Sequence, residues 1–209
     1  CMDKKIKYYK IEEEHSPRAS FVGFLYSALN ILEHTIPVKK TDISESIESL
    51  FNIQKSISSK NLNETNDALQ IAEWIKEIPM VYYPSGLQSA AIRFKNSMQE
   101  NAKVHVITED MIEACHNGIV AWDKPKNVQP ILIQGKDDYV KTKERWEIIK
   151  ELFREKDIQY KEIFSQEGSI LSKLVCLIYL LDYTSIYNAI ISKTDPTPVK
   201  SIDFVKKRL

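Results

Sequence analysis

The sequence predicts an α/β fold, a doubly wound parallel sheet preceded by a helical N-terminal segment. Three observations carry that expectation. From Ile78 onward, short apolar runs at 78–83, 104–107, 131–133 and 160–163 alternate with longer amphipathic stretches, and such alternation is the pattern of a parallel sheet covered on both faces. Before Ile78, apolar residues recur at helical spacing. The 209 residues, 43% hydrophobic, suffice for one full-sized core plus additional helices.

The elements follow in chain order. Over 16–33, Ser16 is a good N-cap, Pro17 suits the first helical position, and apolar residues then recur every three to four positions. The spacing of Ile43, Ile47, Leu50 and Phe51 predicts a second amphipathic helix over 41–59. A Ser/Asn/Lys-rich turn over 56–67 precedes a third helix ending near Lys76, and the domain boundary is expected there: 1–76 as a helical linker segment, 77–209 as the α/β domain. The four apolar runs then read as strands. Between and after them, helices are expected over 88–99, 141–155 and 169–191, with a short turn at 119–122. Thr197-Pro198-Val199 opens a closing helix that carries Ile202 and Val205.

Composition narrows the function. Lys+Arg and Asp+Glu both number 29, a formal net charge of 0, so no overall field favours nucleic acid or an anionic membrane. The most apolar run, 174–181, is too short to span a bilayer, and the polar start CMDKKIKYYK lacks a signal-peptide core. Cysteines at 1, 115 and 176 give neither a zinc spacing nor an even disulfide framework, which fits a reducing cytoplasm.

The stretch 91–122 holds the densest set of reactive side chains. Arg93, Lys95, Glu100 and His116 are of the types used for acid–base work on small polar substrates. Each also has an ordinary reading. Glu100, between a helix and a strand, is commonly solvated surface, and His116, before the turn dipeptide Asn117-Gly118, is commonly an exposed loop histidine. Lys206 in the last turn of a terminal helix suits the helix dipole. Arg18, in the first turn of its helix, opposes the dipole and so hints at an anionic partner. Ligands in doubly wound folds bind beyond the carboxyl ends of the strands. The first such edge is Tyr83-Pro84-Ser85-Gly86, a loop opening a helix and a candidate anion site through Ser85 and Gly86. It lacks the dinucleotide and P-loop fingerprints.

Several motifs taken together carry a resemblance. Ser85-Gly86, then Ala91-Ile92-Arg93-Phe94-Lys95, Gln99-Glu100-Asn101-Ala102-Lys103, and His116-Asn117 followed by Trp122 run in order. Gly168-Ser169, Tyr183-Thr184-Ser185-Ile186-Tyr187 and Asp195-Pro196-Thr197-Pro198-Val199 follow, with Ser16-Pro17-Arg18-Ala19 near the start. From about His15 onward the chain resembles the second half of the bifunctional phosphoglucose/phosphomannose isomerases, a family built of two sugar-isomerase (SIS) domains. The resemblance implies a flavodoxin-like SIS sheet over 77–209 and a remnant of a first SIS domain within 1–76. It implies isomerisation of glucose 6-phosphate or mannose 6-phosphate to fructose 6-phosphate through a cis-enediol, in glycolysis or gluconeogenesis, without metal or organic cofactor. Glu100 would move the proton between C1 and C2 and Arg18 would stabilise the enediolate. His116, reaching in from the partner of a homodimer, would assist ring opening. Lys206 would sit near the ring oxygen, and Thr197 would line the pocket with Ser85 and Gly86 as substrate-binding groups.

The sequence departs from the family pattern twice. The family's Asn-His-Asn-Glu reads Cys115-His116-Asn117-Gly118 here, leaving a polar support missing, and no Ser-x-Ser-Gly-Asn-Thr phosphate loop occurs. A chain without that loop is expected to bind substrate poorly, as a short family member or a fragment. The rival expectations are a non-catalytic sugar-phosphate-binding or interaction module, and an unrelated flavodoxin-like domain.

Overall fold

Four strands, β1 (Ile78–Tyr83), β2 (Ile107–Asp110), β3 (Val128–Gly135) and β4 (Lys161–Ser165), pair in parallel in the order β2-β1-β3-β4. The order reverses between β1 and β3, as in a doubly wound sheet, so the expected fold class holds. The structure is a computed structural model that describes residues 8–11, 16–124 and 127–209. The polar start 1–7 and His15, on which two of the expectations fall, lie outside the described residues.

Alternation along the strands divides the core between two faces. Met80, Tyr82 and Leu132 point to a layer made by α5 (Met111–Ala114), a 3-10 turn (Gly118–Asp123) and α6 (Val140–Glu155), where they pack with Met111, Trp122, Trp146, Ile149 and Phe153. Trp122 stacks edge-on to Phe153 with ring centroids 5.2 Å apart, and its indole N–H donates to the Tyr82 hydroxyl at 2.7 Å. Burial pushes that phenol up to about 12. Val81, Ile131, Ile133 and Ile163 occupy the opposite face, and all four are buried. That face is covered by α3 (Asp67–Trp74), α4 (Gln88–Ser97) and α7 (Ile170–Ile191).

Helix α7 organises this second layer. Its 22 residues are long and apolar enough, by length and composition, to cross a membrane, whereas the run 174–181 alone is too short. Here the helix packs against α3, α4 and β4, and most of its apolar positions are buried, which is how a core helix behaves. Ser169 caps it through Ser172 N–H, and the Glu45 carboxylate accepts from Ser169 N–H at 2.9 Å. Gly168 precedes the cap at φ +119, a conformation L side chains rarely adopt, with the Glu45 carboxylate against the space a Cβ would take. The bond from Ser169 N–H, with one from the Ser172 hydroxyl, holds the Glu45 carboxyl below the usual range. Asn66 caps α3 by accepting from Leu69 N–H, while its amide donates to the Ile57 carbonyl and the Tyr187 hydroxyl.

Two compact units divide the chain, Cys1–Ser44 and Glu45–Leu209. In the first, the expected helix over 16–33 is interrupted. Pro17–Ala19 form a 3-10 turn, closed by Ser20 N–H to the Pro17 carbonyl, and α1 (Phe21–Ile31) starts only beyond Ser20. Arg18 therefore belongs to that turn and not to the first turn of α1, and the dipole argument for it lapses. Helix α2 (Lys40–Ile57) runs from one unit into the next.

The other differences are local. The strand expected at 104–107 begins at Ile107 and runs through polar Thr108, Glu109 and Asp110. Val104 N–H is spent on the Met98 carbonyl instead of the ladder, and an edge strand tolerates polar residues. The helix expected to end at 99 gives way at Met98 to a π-helical turn, Met98–Ala102. The closing helix, α8, spans Lys200–Lys206.

Candidate functional site

The local fold of 88–103 sets the position of Glu100. Helix α4 leaves the carboxyl end of β1, crosses the sheet antiparallel to the strands, and ends near the amino end of β2. Its inner face carries Ala90, Ala91, Phe94 and Met98, all essentially fully buried. Its flank toward α7 carries Arg93, Ser97 and Asn101 at i, i+4 and i+8, and these meet a matching polar row on α7. The Arg93 guanidinium donates through Nε and Nη2 to the Asp182 carboxylate at 2.8–3.3 Å, and Ser97 donates to the same group at 2.5 Å. Asn101 donates to Ser185 Oγ at 2.8 Å, and Ser185 donates to the Asp182 carbonyl at 2.7 Å. Arg93 is thus a link between helices.

Glu100 itself is partly buried on the π-helical turn. The turn closes on Lys103, which takes a left-handed conformation at φ 60. The Lys103 ammonium donates to the Glu100 carbonyl at 2.5 Å and reaches the Pro196 carbonyl at 3.5 Å. That brings the segment around Thr197 beside the turn that bears Glu100. Thr197 N–H donates to Asp195 at 2.8 Å, and this bond, with help from the Lys103 charge, holds the Asp195 carboxyl below its usual range. The same edge of the sheet opens into a cavity of ≈ 600 Å³ lined by Ile75, Lys76, Glu77, Ile78, Val104, Asn127, Asn188, Ile191 and Ser192. Lys206 follows in the last turn of α8, fully on the surface.

Ser85, Gly86 and His116 lie at the opposite edge. Ser85 and Gly86 are exposed in the 3-10 turn between β1 and α4. Fifteen residues of helix, 88–102, separate that loop from the far end of the π-helical turn, on the order of 20 Å. Within one chain the length of α4 thus sets Ser85 apart from Glu100. His116 is exposed just past α5, beyond the carboxyl end of β2, with its N–H donating to the Glu113 carbonyl at 2.9 Å. Arg18 belongs to the first unit, partly buried in its 3-10 turn.

The carboxylate missing from position 118 has a counterpart that the sequence did not reveal. The Glu109 side chain occupies the space where a Cβ at Gly118 would stand, two residues from His116. Burial, with repulsion from Glu113 and Asp110, raises the Glu109 carboxyl above its usual range. Only the fold brings the end of β2 over this glycine. The Asp182 row could have been found earlier, because polar residues at helical spacing on an otherwise apolar helix require partners. Among the described residues no group of three or more His, Cys, Asp and Glu side chains could hold a metal ion.

Comparison with known proteins agrees with this architecture. Residues 64–209 match the model of the bacterial phospho-glucose isomerase C-terminal SIS domain. The bifunctional phosphoglucose/phosphomannose isomerase of Caldicellulosiruptor bescii is 31% identical over 174 residues, covering 80% of this chain and 51% of that protein. The enzyme of the same name from Aquifex aeolicus is 26% identical over 205 residues, covering 96% and 61%. The chain thus spans a little more than half the length of these curated relatives. Among solved structures, a glucose-6-phosphate isomerase like protein from Thermus thermophilus superposes with TM-score 0.66 at 15% identity, over 90% of this chain and 62% of that one. Tagatose-6-phosphate ketose/aldose isomerase from Escherichia coli gives 0.59 at 13%, over 87% and 52%. Sheet order, the helices on both faces and these neighbours define an SIS-type α/β domain. More particularly, the chain belongs to the family of the bacterial phosphoglucose isomerase C-terminal SIS domain.

Proposed function

We propose that this chain supplies the second SIS domain, 77–209, of an aldose–ketose isomerase, with 1–76 as helical linker and remnant of a first SIS domain. The enzyme interconverts glucose 6-phosphate or mannose 6-phosphate with fructose 6-phosphate through a cis-enediol. The family match over 64–209, together with relatives of that name, is the observation that carries this reading. Glu100 is the base: one carboxylate can take the proton from C2 and return it to C1. Arg18 stabilises the enediolate oxygen, as a fixed guanidinium opposite developing charge does. Thr197 lines the pocket beside Glu100, and Lys206 serves the ring oxygen from α8. His116 assists ring opening in the site of a partner subunit, and its separation from Glu100 within one chain supports a homodimeric arrangement. Ser85 and Gly86, at the carboxyl edge of the sheet, are substrate-binding groups. The protein works in the cytoplasm and needs no metal or organic cofactor.

The test is a coupled assay of fructose 6-phosphate conversion on the full-length protein, beside calorimetric binding of the same sugar. Turnover that is lost in Glu100→Gln while binding persists is the expected result. Turnover unaltered by Glu100→Gln removes the assignment. Binding without turnover in the unmodified protein favours a non-catalytic sugar-phosphate-binding module, the reading that the departure at the His116 motif would fit.

A further inference from the structure

Two costly backbone features meet at one place. Residues Met98–Ala102 form a π-helical turn, a wide and rare geometry that occurs often at functional sites. The residue that closes it, Lys103, is left-handed at φ 60, a conformation glycine adopts without strain and lysine does not. Its side chain points to what the position uses. A lysine that merely capped its own helix would stop at the last carbonyls. Here the ammonium bonds the Glu100 carbonyl at 2.5 Å and also reaches the Pro196 carbonyl at 3.5 Å, in a segment far away in sequence. The same charge helps to hold the Asp195 carboxyl below its usual range. Pro196 lies between Asp195 and Thr197, whose own N–H is tied back to Asp195.

We infer that Lys103 is a positioning residue, a clip that fixes the π-helical turn bearing Glu100 at a set separation from the Asp195–Thr197 loop. The inference rests on the reading of Glu100 as the base. A side chain on a single turn at a helix end is free to drift. The clip joins that turn and the loop into one unit, and small misplacements of a base are expensive in rate. Because Lys103 acts through Glu100 and Thr197, its loss lowers turnover rather than substrate affinity.

The test uses Lys103→Gly and Lys103→Arg in the full-length protein, with Glu100→Gln alongside. Glycine removes the clip but suits the left-handed backbone, so Lys103→Gly keeps or raises the thermal midpoint, lowers kcat about tenfold or more and leaves KM nearly unchanged. Lys103→Arg restores most of kcat. The backbone amide resonances of Asp195 and Thr197 shift in Lys103→Gly and return in Lys103→Arg. A merely structural lysine predicts instead a lower thermal midpoint with kcat per folded molecule unchanged. Wild-type kcat in Lys103→Gly beside an inactive Glu100→Gln overturns the clip. If Glu100→Gln keeps its turnover, the base reading fails by itself, and the Asp195 and Thr197 amides decide the clip: unmoved resonances overturn it.

Discussion

The amino and carboxyl edges of the sheet differ in how their polar groups are held. At the amino edge the bonds are long-range: Lys103 reaches Pro196, Asn101 meets Ser185, and Gln129 accepts from Lys76 and Glu77 N–H at 2.6 and 2.7 Å. At the carboxyl edge they are short-range around the segment that bears His116, although past β3 and β4 Lys136 meets Glu167, Lys173 meets Asp137 and Ser169 N–H meets Glu45 across the fold. Asp110 caps its own helix by accepting from Ile112 N–H, Asp138 accepts from Gly135 N–H, and Asn117 donates to Glu113. Groups held across the fold keep their separations when a loop moves, whereas groups held by neighbours in sequence move with their loop. The amino edge, with Glu100, is the better place for a base that must be aimed.

The contrast can be broken by mutation, and the largest effect is expected at Glu100. Glu100→Gln should lower kcat by about 10²–10⁴, the usual span for a positioned base, while Ser85→Ala leaves kcat nearly unchanged. Equal losses in a steady-state assay would merge the two edges into one site. Next, mixing separately inactive Glu100→Gln and His116→Ala subunits should restore turnover, because one site of the mixed dimer then holds both wild-type groups. Mixtures that stay inactive remove the partner role of His116.

Smaller effects concern stability. Asp182→Ala leaves Arg93 and Ser97 without their acceptor and should cost about 2 kcal/mol, read as a lower denaturation midpoint at constant slope. A change within error would mean that α4 does not depend on α7 for its placement. The smallest is at the carboxyl edge. The Glu109 carboxyl is raised in the fold, so the native state holds its proton more tightly than the unfolded chain does. Its contribution is therefore most favourable below the ordinary value of 4.5 and falls as pH rises through the raised value. Glu109→Gln should gain on the order of a few tenths of a kcal/mol at pH 7 and nothing at pH 4, after allowance for solvent screening. Gly118→Ala, by displacing the carboxylate toward water, should return its titration toward normal in a carboxyl-resolved NMR experiment. An unmoved titration would mean that the contact with Gly118 is not what buries Glu109.

Legibility followed the same division. Helices α6 and α7 and strand β1 were readable because apolar spacing reports burial directly, and each lies within one or two residues of its expected bounds. Strand β2 was misplaced by three residues because its polar sequence Thr108-Glu109-Asp110 suits a sheet edge, and edge position is a property of strand order. The expected helix over 16–33 ran through Ser20 because a proline start and an apolar stripe do not reveal a 3-10 turn. Glu100 stands out by residue type within 91–122, but its role and the naming of Thr197 come from the motif resemblance. Nothing in the spacing of 100 and 197 says that they share an edge.

By itself, the sequence determined the fold class, the layering of apolar strands between amphipathic helices and the family to which the chain belongs. The first two depend on which residues avoid water, and that is written in composition and period, whereas the family is carried by the order of its motifs. Only the tertiary structure decided that Glu100 and the Thr197 loop lie at one edge while Ser85 and His116 lie at the other. It also decided that Lys103 bridges two segments and that Glu109 fills the space above Gly118. Such facts depend on strand order and helix direction, which bring residues together across the chain through contacts that no local pattern encodes.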